Sequence, residues 1–152
     1  MSISTRLKTL LDENKVPYSV LAHQTTYTAQ GTAATMQIAA QELAKTVVLL
    51  AGDEMILAVL PGQKHVKLHK LGTELGKPLR LATELEFSNR FPDCEPGAMP
   101  PIGSLYNLPV YVDESLADDE EIVFNAGTHH DAIRMRYEDF VRLVKPKVCS
   151  FV

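Results

Sequence analysis

The stretch from Cys94 to Gly103 reads Cys-Glu-Pro-Gly-Ala-Met-Pro-Pro-Ile-Gly, with three prolines and two glycines in ten residues. Each proline fixes φ and removes a backbone donor, while glycine reaches angles that other residues avoid. Such a run forms neither a helix nor a central strand. It predicts a stiff, shaped loop whose carbonyls and amides point outward in set directions. Read by itself it is equally a plain connector between two elements.

The segments before the loop alternate helical and extended signals. Ser4 or Thr5 caps a helix to about Asn14, with Leu7, Leu10 and Leu11 on one face. Tyr18 to Ala22 reads as a short strand. Thr28 caps an alanine-rich helix from Ala29 to about Met36, and Gln41 to Ala44 read as a single helical turn. Lys45 to Ala51 is an apolar, β-branched run that predicts a buried strand. Gly52-Asp53 turns it into a second strand, Met55 to Leu60. Lys64, His65, Lys67, His69 and Lys70 stand at helical spacings and form the one concentrated basic stretch.

Thr83 and Glu86 make a capping box for a short helix, preceded by a short strand at Leu79 to Ala82. Beyond the loop, Val110 to Asp113, Ile122 to Ala126 and Ala132 to Met135 read as strands. Tyr137 to Val144 is an amphipathic helix stopped by Pro146. Roughly seven strands not regularly alternated with helices predict an α+β fold with a mixed sheet.

The chain has 152 residues and 45% apolar composition, which fits one domain over residues 1–152. A net charge of -4 excludes a general basic field for nonspecific nucleic-acid binding, DNA included. Cys94 and Cys149 are far apart and form neither a redox motif nor a ligand pair. The N-terminus carries no secretory pattern, and no apolar run is long enough for a membrane span. A cytoplasmic setting without membrane association is expected. His65 and His69 could ligate a metal but lack an acidic or thiol companion. No metal or cofactor is expected.

Several short motifs occur in a fixed order: Thr28-Ala29-Gln30, Ala44-Lys45-Thr46-Val47-Val48, Ala58-Val59-Leu60-Pro61-Gly62, Gly97 to Gly103, Val112-Asp113 and Phe124-Asn125-Ala126-Gly127. Together they resemble the YbaK/prolyl-tRNA synthetase-associated domain family, from about Tyr18 to Leu143. The resemblance implies a single domain whose mixed, mostly antiparallel, partly barrel-like sheet is flanked by helices. It also implies a free-standing trans-editing deacylase, which hydrolyses the ester of a mischarged tRNA carrying a small amino acid, with tRNA-Pro as one carrier. The implied partners are the 3′ acceptor end of an aminoacyl-tRNA and an aminoacyl-tRNA synthetase.

Residue by residue, Lys45 matches the family's active-site lysine, and Gly97 and Pro101 match its Gly-x-x-x-Pro loop. Asn125 to Thr128 match the turn on the other side of the pocket. Lys45 and Gly97 are thus the expected catalytic positions. His23, Tyr27, Thr28, Thr46 and Leu60 are expected to meet substrate from the first half of the chain. Ala98, Met99, Pro100 and Pro101 line it from the loop, and Asn125, Ala126, Gly127, Thr128 and His129 from the turn. Some members carry a functional histidine on the strand entering that turn; here Ile122 to Asn125 hold none, and His129 and His130 follow it. Where related sequences have an acidic residue after Thr-Ala-Gln, this chain has Gly31.

Read from the residues, Lys45 is either a cation snorkelling from a strand end or a group that meets substrate. His23 is either a structural histidine or a catalyst. Lys64, Lys67 and Lys70 are the candidates for tRNA-backbone contact. There is no Gly-x-Ser-x-Gly elbow. Substrate-assisted water attack, with positioning by Lys45 and the loop, is the expected mechanism. The alternatives are a non-catalytic module that binds an aminoacyl or nucleotide group or a protein, and a metal hydrolase using histidines.

Overall fold

The computed structural model describes residues 4–22 and 41–152. The expected helix from Ala29 and the positions His23, Tyr27 and Thr28 lie outside the described residues. Helix α1 (Thr5–Glu13) starts where the sequence places it: Ser4 is the N-cap, and its Oγ accepts from the Leu7 amide. Leu7 and Leu11, one turn apart, are fully buried.

Strand β1 (Tyr18–Ala22) follows. Strands β2 (Ala44–Ala51) and β3 (Glu54–Pro61) form an antiparallel hairpin. Helix α2 (Leu68–Leu75), β4 (Leu79–Leu81) and the short α3 (Glu84–Phe87) come next. The capping box of α3 forms as expected, with Thr83 Oγ1 accepting from the Glu86 amide and Glu86 Oε1 from the Thr83 amide. The chain then runs through β5 (Val110–Asp113), β6 (Glu121–Asn125), β7 (Asp131–Arg136), α4 (Tyr137–Val144) and β8 (Lys147–Cys149).

The strands make two sheets. One is antiparallel in the order β1-β7-β6; the other is mixed, β4-β2-β3-β5-β8, with β5 parallel to both its neighbours. A parallel bridge between Leu43 and Val123 joins them at one corner. Neither sheet closes into a barrel. The α+β expectation holds, with the strands divided between two sheets.

Between the sheets lies the larger core, with Val48, Leu57, Val59, Val112, Phe124, Ile133 and Phe140 all buried. Leu49, Ile56, Ala58 and Leu60 face the other way, against Leu71 of α2 and Phe151. Both faces of β2 and β3 are covered. This is why their sequences are near-continuous apolar runs. Burying each such large side chain stabilises the fold by about 1.5–3 kcal/mol.

Two local expectations are corrected, and one strand is added. Gln41 to Ala44 are not a helical turn: Leu43 bridges to Val123, and Ala44 opens β2. The basic stretch is not helical throughout, since α2 begins at Leu68 and Lys67 is its N-cap. The chain also makes a strand beyond Pro146, β8, which pairs with β5. Among the described residues, no helix is long and apolar enough to cross a membrane.

Candidate active site

Lys45 is the second residue of β2 and stands directly opposite Leu60 of β3. Side chains alternate along a strand, so Lys45 shares the face of Val47, Leu49 and Leu60. Thr46 belongs to the other row, with Ala44 and Val48, which faces the core between the sheets. The two adjacent candidates therefore leave β2 in opposite directions. Lys45 is partly buried, and this desolvation pushes its ammonium pKa below that of an ordinary lysine. No hydrogen bond or ion pair to it is found among the described residues.

Gly97 lies in a tight turn whose geometry the sequence specifies. The Ala98 amide donates to the Glu95 carbonyl at 3.0 Å, Pro96 is second in the turn, and Gly97 is third with φ +85°. This is a type II turn, which requires positive φ at its third residue and favours proline at the second. At the other end of the loop, a Cβ on Gly103 would collide with the Leu108 carbonyl oxygen. Pro96 and Gly97 are exposed, whereas Ala98, Met99, Pro100 and Pro101 are buried beneath them. Met99 packs in the core, and its Sδ takes the Gly97 amide at 3.2 Å.

The loop is fastened to the turn after β6. The Glu95 amide donates to the Gly127 carbonyl at 2.7 Å, and the Gly127 amide to the Ala98 carbonyl at 2.9 Å. Glu95 Oε1 accepts from the His129 amide at 2.9 Å, and His129 Nε2 bonds the Pro96 carbonyl at 2.7 Å. A carbonyl only accepts, so Nε2 carries the proton in this contact. Among the described residues, these bonds leave the Gly97 carbonyl without a donor on the exposed tip.

Other expected lining residues sit less openly. Ala126, Gly127 and Thr128 are buried. The Thr128 hydroxyl is engaged within the turn, donating to Asp131 Oδ2 at 2.9 Å and accepting from the Asp131 amide at 3.0 Å. His129 is 7% exposed. Two candidates do present unmet polar atoms: Thr46 Oγ1 and Asn125 Oδ1 are buried without a hydrogen-bond partner among the described residues. Buried polar atoms are ordinarily satisfied, so such atoms at a candidate site are the ones a substrate could pair with.

Lys64, Lys67 and Lys70 are all exposed, and Lys70 Nζ reaches Ser150 Oγ at 3.0 Å. Lys64 and Lys67 precede α2 and Lys70 lies in its first turn. His65 precedes that helix, so it does not share a helical face with His69. Among the described residues, no cluster of three or more His, Cys, Asp or Glu side chains could hold a metal.

Sequence reasoning missed two contributors. Glu95 has no role assigned from the sequence, yet it holds the loop to the turn through both backbone and side chain. Asp93 accepts from Ser4 Oγ and, at 3.0 Å, from Tyr106 OH, so it ties α1 to the base of the loop. The local signal was a carboxylate on either side of Cys94. Burial pushes the Cys94 thiol up to about 12, which leaves almost no thiolate at neutral pH.

Fold and residues thus describe an α+β domain with two candidate features, a partly buried lysine on β2 and a turn of fixed backbone groups. Residues 23–143 match the model of the aminoacyl-tRNA editing domain, and the chain belongs to that family. It is 26% identical over 153 residues to the multifunctional Ser/Thr-tRNA deacylase ProXp-y of Escherichia coli K12, covering 96% of this chain and 90% of that one. The same protein of Escherichia coli O157:H7 matches equally. A crystal structure of a hypothetical protein superposes with a TM-score of 0.87 at 21% identity, covering 96% of this chain and 98% of the other. That of a candidate trans-editing enzyme for prolyl-tRNA synthetase gives 0.82 at 24% identity, covering 96% and 94%. These two similarities show the fold.

Proposed function

We propose that this chain is a trans-editing aminoacyl-tRNA deacylase that removes a small, hydroxylated amino acid such as serine or threonine from a mischarged tRNA. Family membership supports the reaction class, and the Ser/Thr-tRNA deacylase relative supports the substrate. The single observation that carries the site assignment is the fastening of the loop to the turn. It leaves the Gly97 carbonyl as an outward, fixed acceptor.

In this reading a water held by the Gly97 carbonyl attacks the ester carbonyl. A hydroxyl of the terminal ribose helps orient the water. The tetrahedral intermediate collapses by breaking the acyl C–O bond. The ribose oxygen leaves with a proton, giving free amino acid and uncharged tRNA. Lys45 orients the substrate and offsets negative charge on the ester oxygen or the terminal phosphate. No strong base is required if the reactants are well placed, because orientation alone contributes several kcal/mol. Asn125 Oδ1, which has no hydrogen-bond partner among the described residues, favours a substrate carrying its own hydroxyl. Lys64, Lys67 and Lys70 receive the acceptor-stem backbone. Delivery by an aminoacyl-tRNA synthetase such as the prolyl enzyme, in the cytoplasm, completes the reading.

The test is deacylation of a panel of Ser-, Thr-, Ala- and Cys-charged tRNAs, tRNA-Pro among them. Hydrolysis of the hydroxylated pair supports the proposal. Binding across the panel without release of amino acid supports a non-catalytic module instead.

A further inference from the structure

We infer that Glu95 and His129 form a reciprocal clasp whose task is to fix the peptide planes on either side of Gly97. This rests on the reading of the Gly97 carbonyl as the acceptor for the attacking water. The Glu95 side chain holds the backbone of residue 129, and the His129 side chain holds the backbone of residue 96. Both bonds donate from residue 129 to the loop, one from its backbone to a side chain and the other from its side chain to the backbone.

The geometry gives the clasp a specific consequence. Type I and type II turns differ chiefly by a flip of the central peptide, here Pro96–Gly97. His129 holds the oxygen of that peptide, which locks the type II form. The amide is planar and trans, so its N–H points the opposite way, where it meets Met99 Sδ. In the next peptide the Ala98 amide points into the turn, toward the Glu95 carbonyl. The Gly97 carbonyl must therefore point out of it. Releasing His129 frees the central peptide to flip and the acceptor to wander. His129 acts through Gly97 and Glu95 acts through His129; both are positioning residues.

The experiment compares Glu95→Ala, Glu95→Gln, His129→Ala and His129→Gln by single-turnover deacylation, with thermal melts to establish folding. Glutamine preserves the acceptor at Glu95 and an amide donor at His129. Both alanine variants should lower the rate at saturating substrate about tenfold or more, with little change in KM, since the lost element is orientation. Both glutamine variants should recover most of the rate. Full activity in folded Glu95→Ala overturns the clasp. A His129→Gln variant as inactive as His129→Ala overturns it too, because the ring itself would then take part in the chemistry.

The Gly97 amide resonance in ¹⁵N-labelled protein gives a substrate-free readout. It should shift in the alanine variants and return in the glutamine ones. An unshifted resonance in Glu95→Ala and His129→Ala counts against the clasp, even if the wild type proves inert toward every tRNA and the proposed function fails.

Discussion

The His129 ring lies against the backbone of Gly97, so that a Cβ added at Gly97 would come to 3.3 Å from Cε1. The same residue has φ +85°, a conformation that costs an L-residue about 1–2 kcal/mol. Gly97→Ala should therefore destabilise the protein by about 1–2 kcal/mol in urea unfolding and reduce the deacylation rate more than it raises KM. A variant with unchanged stability and rate would mean that the turn tolerates a side chain and that its geometry is not part of the chemistry.

Thr46 presents a different balance. Its hydroxyl is buried and has no partner among the described residues, so Thr46→Val should raise stability by roughly 1 kcal/mol while keeping the shape of the side chain. Because Thr46 faces the core, opposite to Lys45, the change should leave the preference among Ser-, Thr- and Ala-charged tRNA intact. A selective loss on the two hydroxylated substrates would instead place Thr46 in substrate recognition.

These two residues illustrate how much of the site was legible in the sequence. The Pro-Gly pair at Pro96 and Gly97 announces a turn by local chemistry alone, and the structure holds it. Helix α4 and strands β1 and β5 appear at the bounds their apolar patterns set. The helix expected over the basic stretch starts late because its charges had helical spacing while its apolar residues did not. β8 was invisible: it is three residues long, largely exposed, and exists by pairing with β5 across the intervening chain. Glu95 escaped for the same reason. Its partner, His129, is 34 residues away, and no local pattern reports a contact at that range. Nor does a motif reveal that Lys45 and Thr46 diverge to opposite faces; that follows only from the pairing register.

The lysines before and within α2 should act at long range. Lys64 and Lys67 are exposed, so reversing both charges should raise KM for full-length tRNA and flatten its dependence on salt by about two phosphate contacts. Hydrolysis of an aminoacylated adenosine lacking the stem should be unaffected. A parallel loss on that minimal substrate would place the two lysines near the ester instead.

Lys45 carries a pH signature. Burial lowers its pKa in the folded state, so at neutral pH both states are protonated and the folded state bears the full desolvation cost. As pH rises through the folded pKa toward the ordinary lysine value, the folded state loses its proton first and that cost disappears. Lys45→Met, which keeps the apolar stem, should thus melt at or above the wild-type temperature at neutral pH. Its advantage should shrink under alkaline conditions. An advantage that grows with pH would mean that an unrecognised anion stabilises the ammonium.

The most direct test of the account is the rate of amino-acid release from Ser- or Thr-charged tRNA by the wild type and by Lys45→Ala, measured side by side on folded protein. The account predicts hydrolysis by the wild type and a loss of about a hundredfold or more in the variant, the scale of removing one electrostatic group from a preorganised site. Undiminished hydrolysis by folded Lys45→Ala would contradict it.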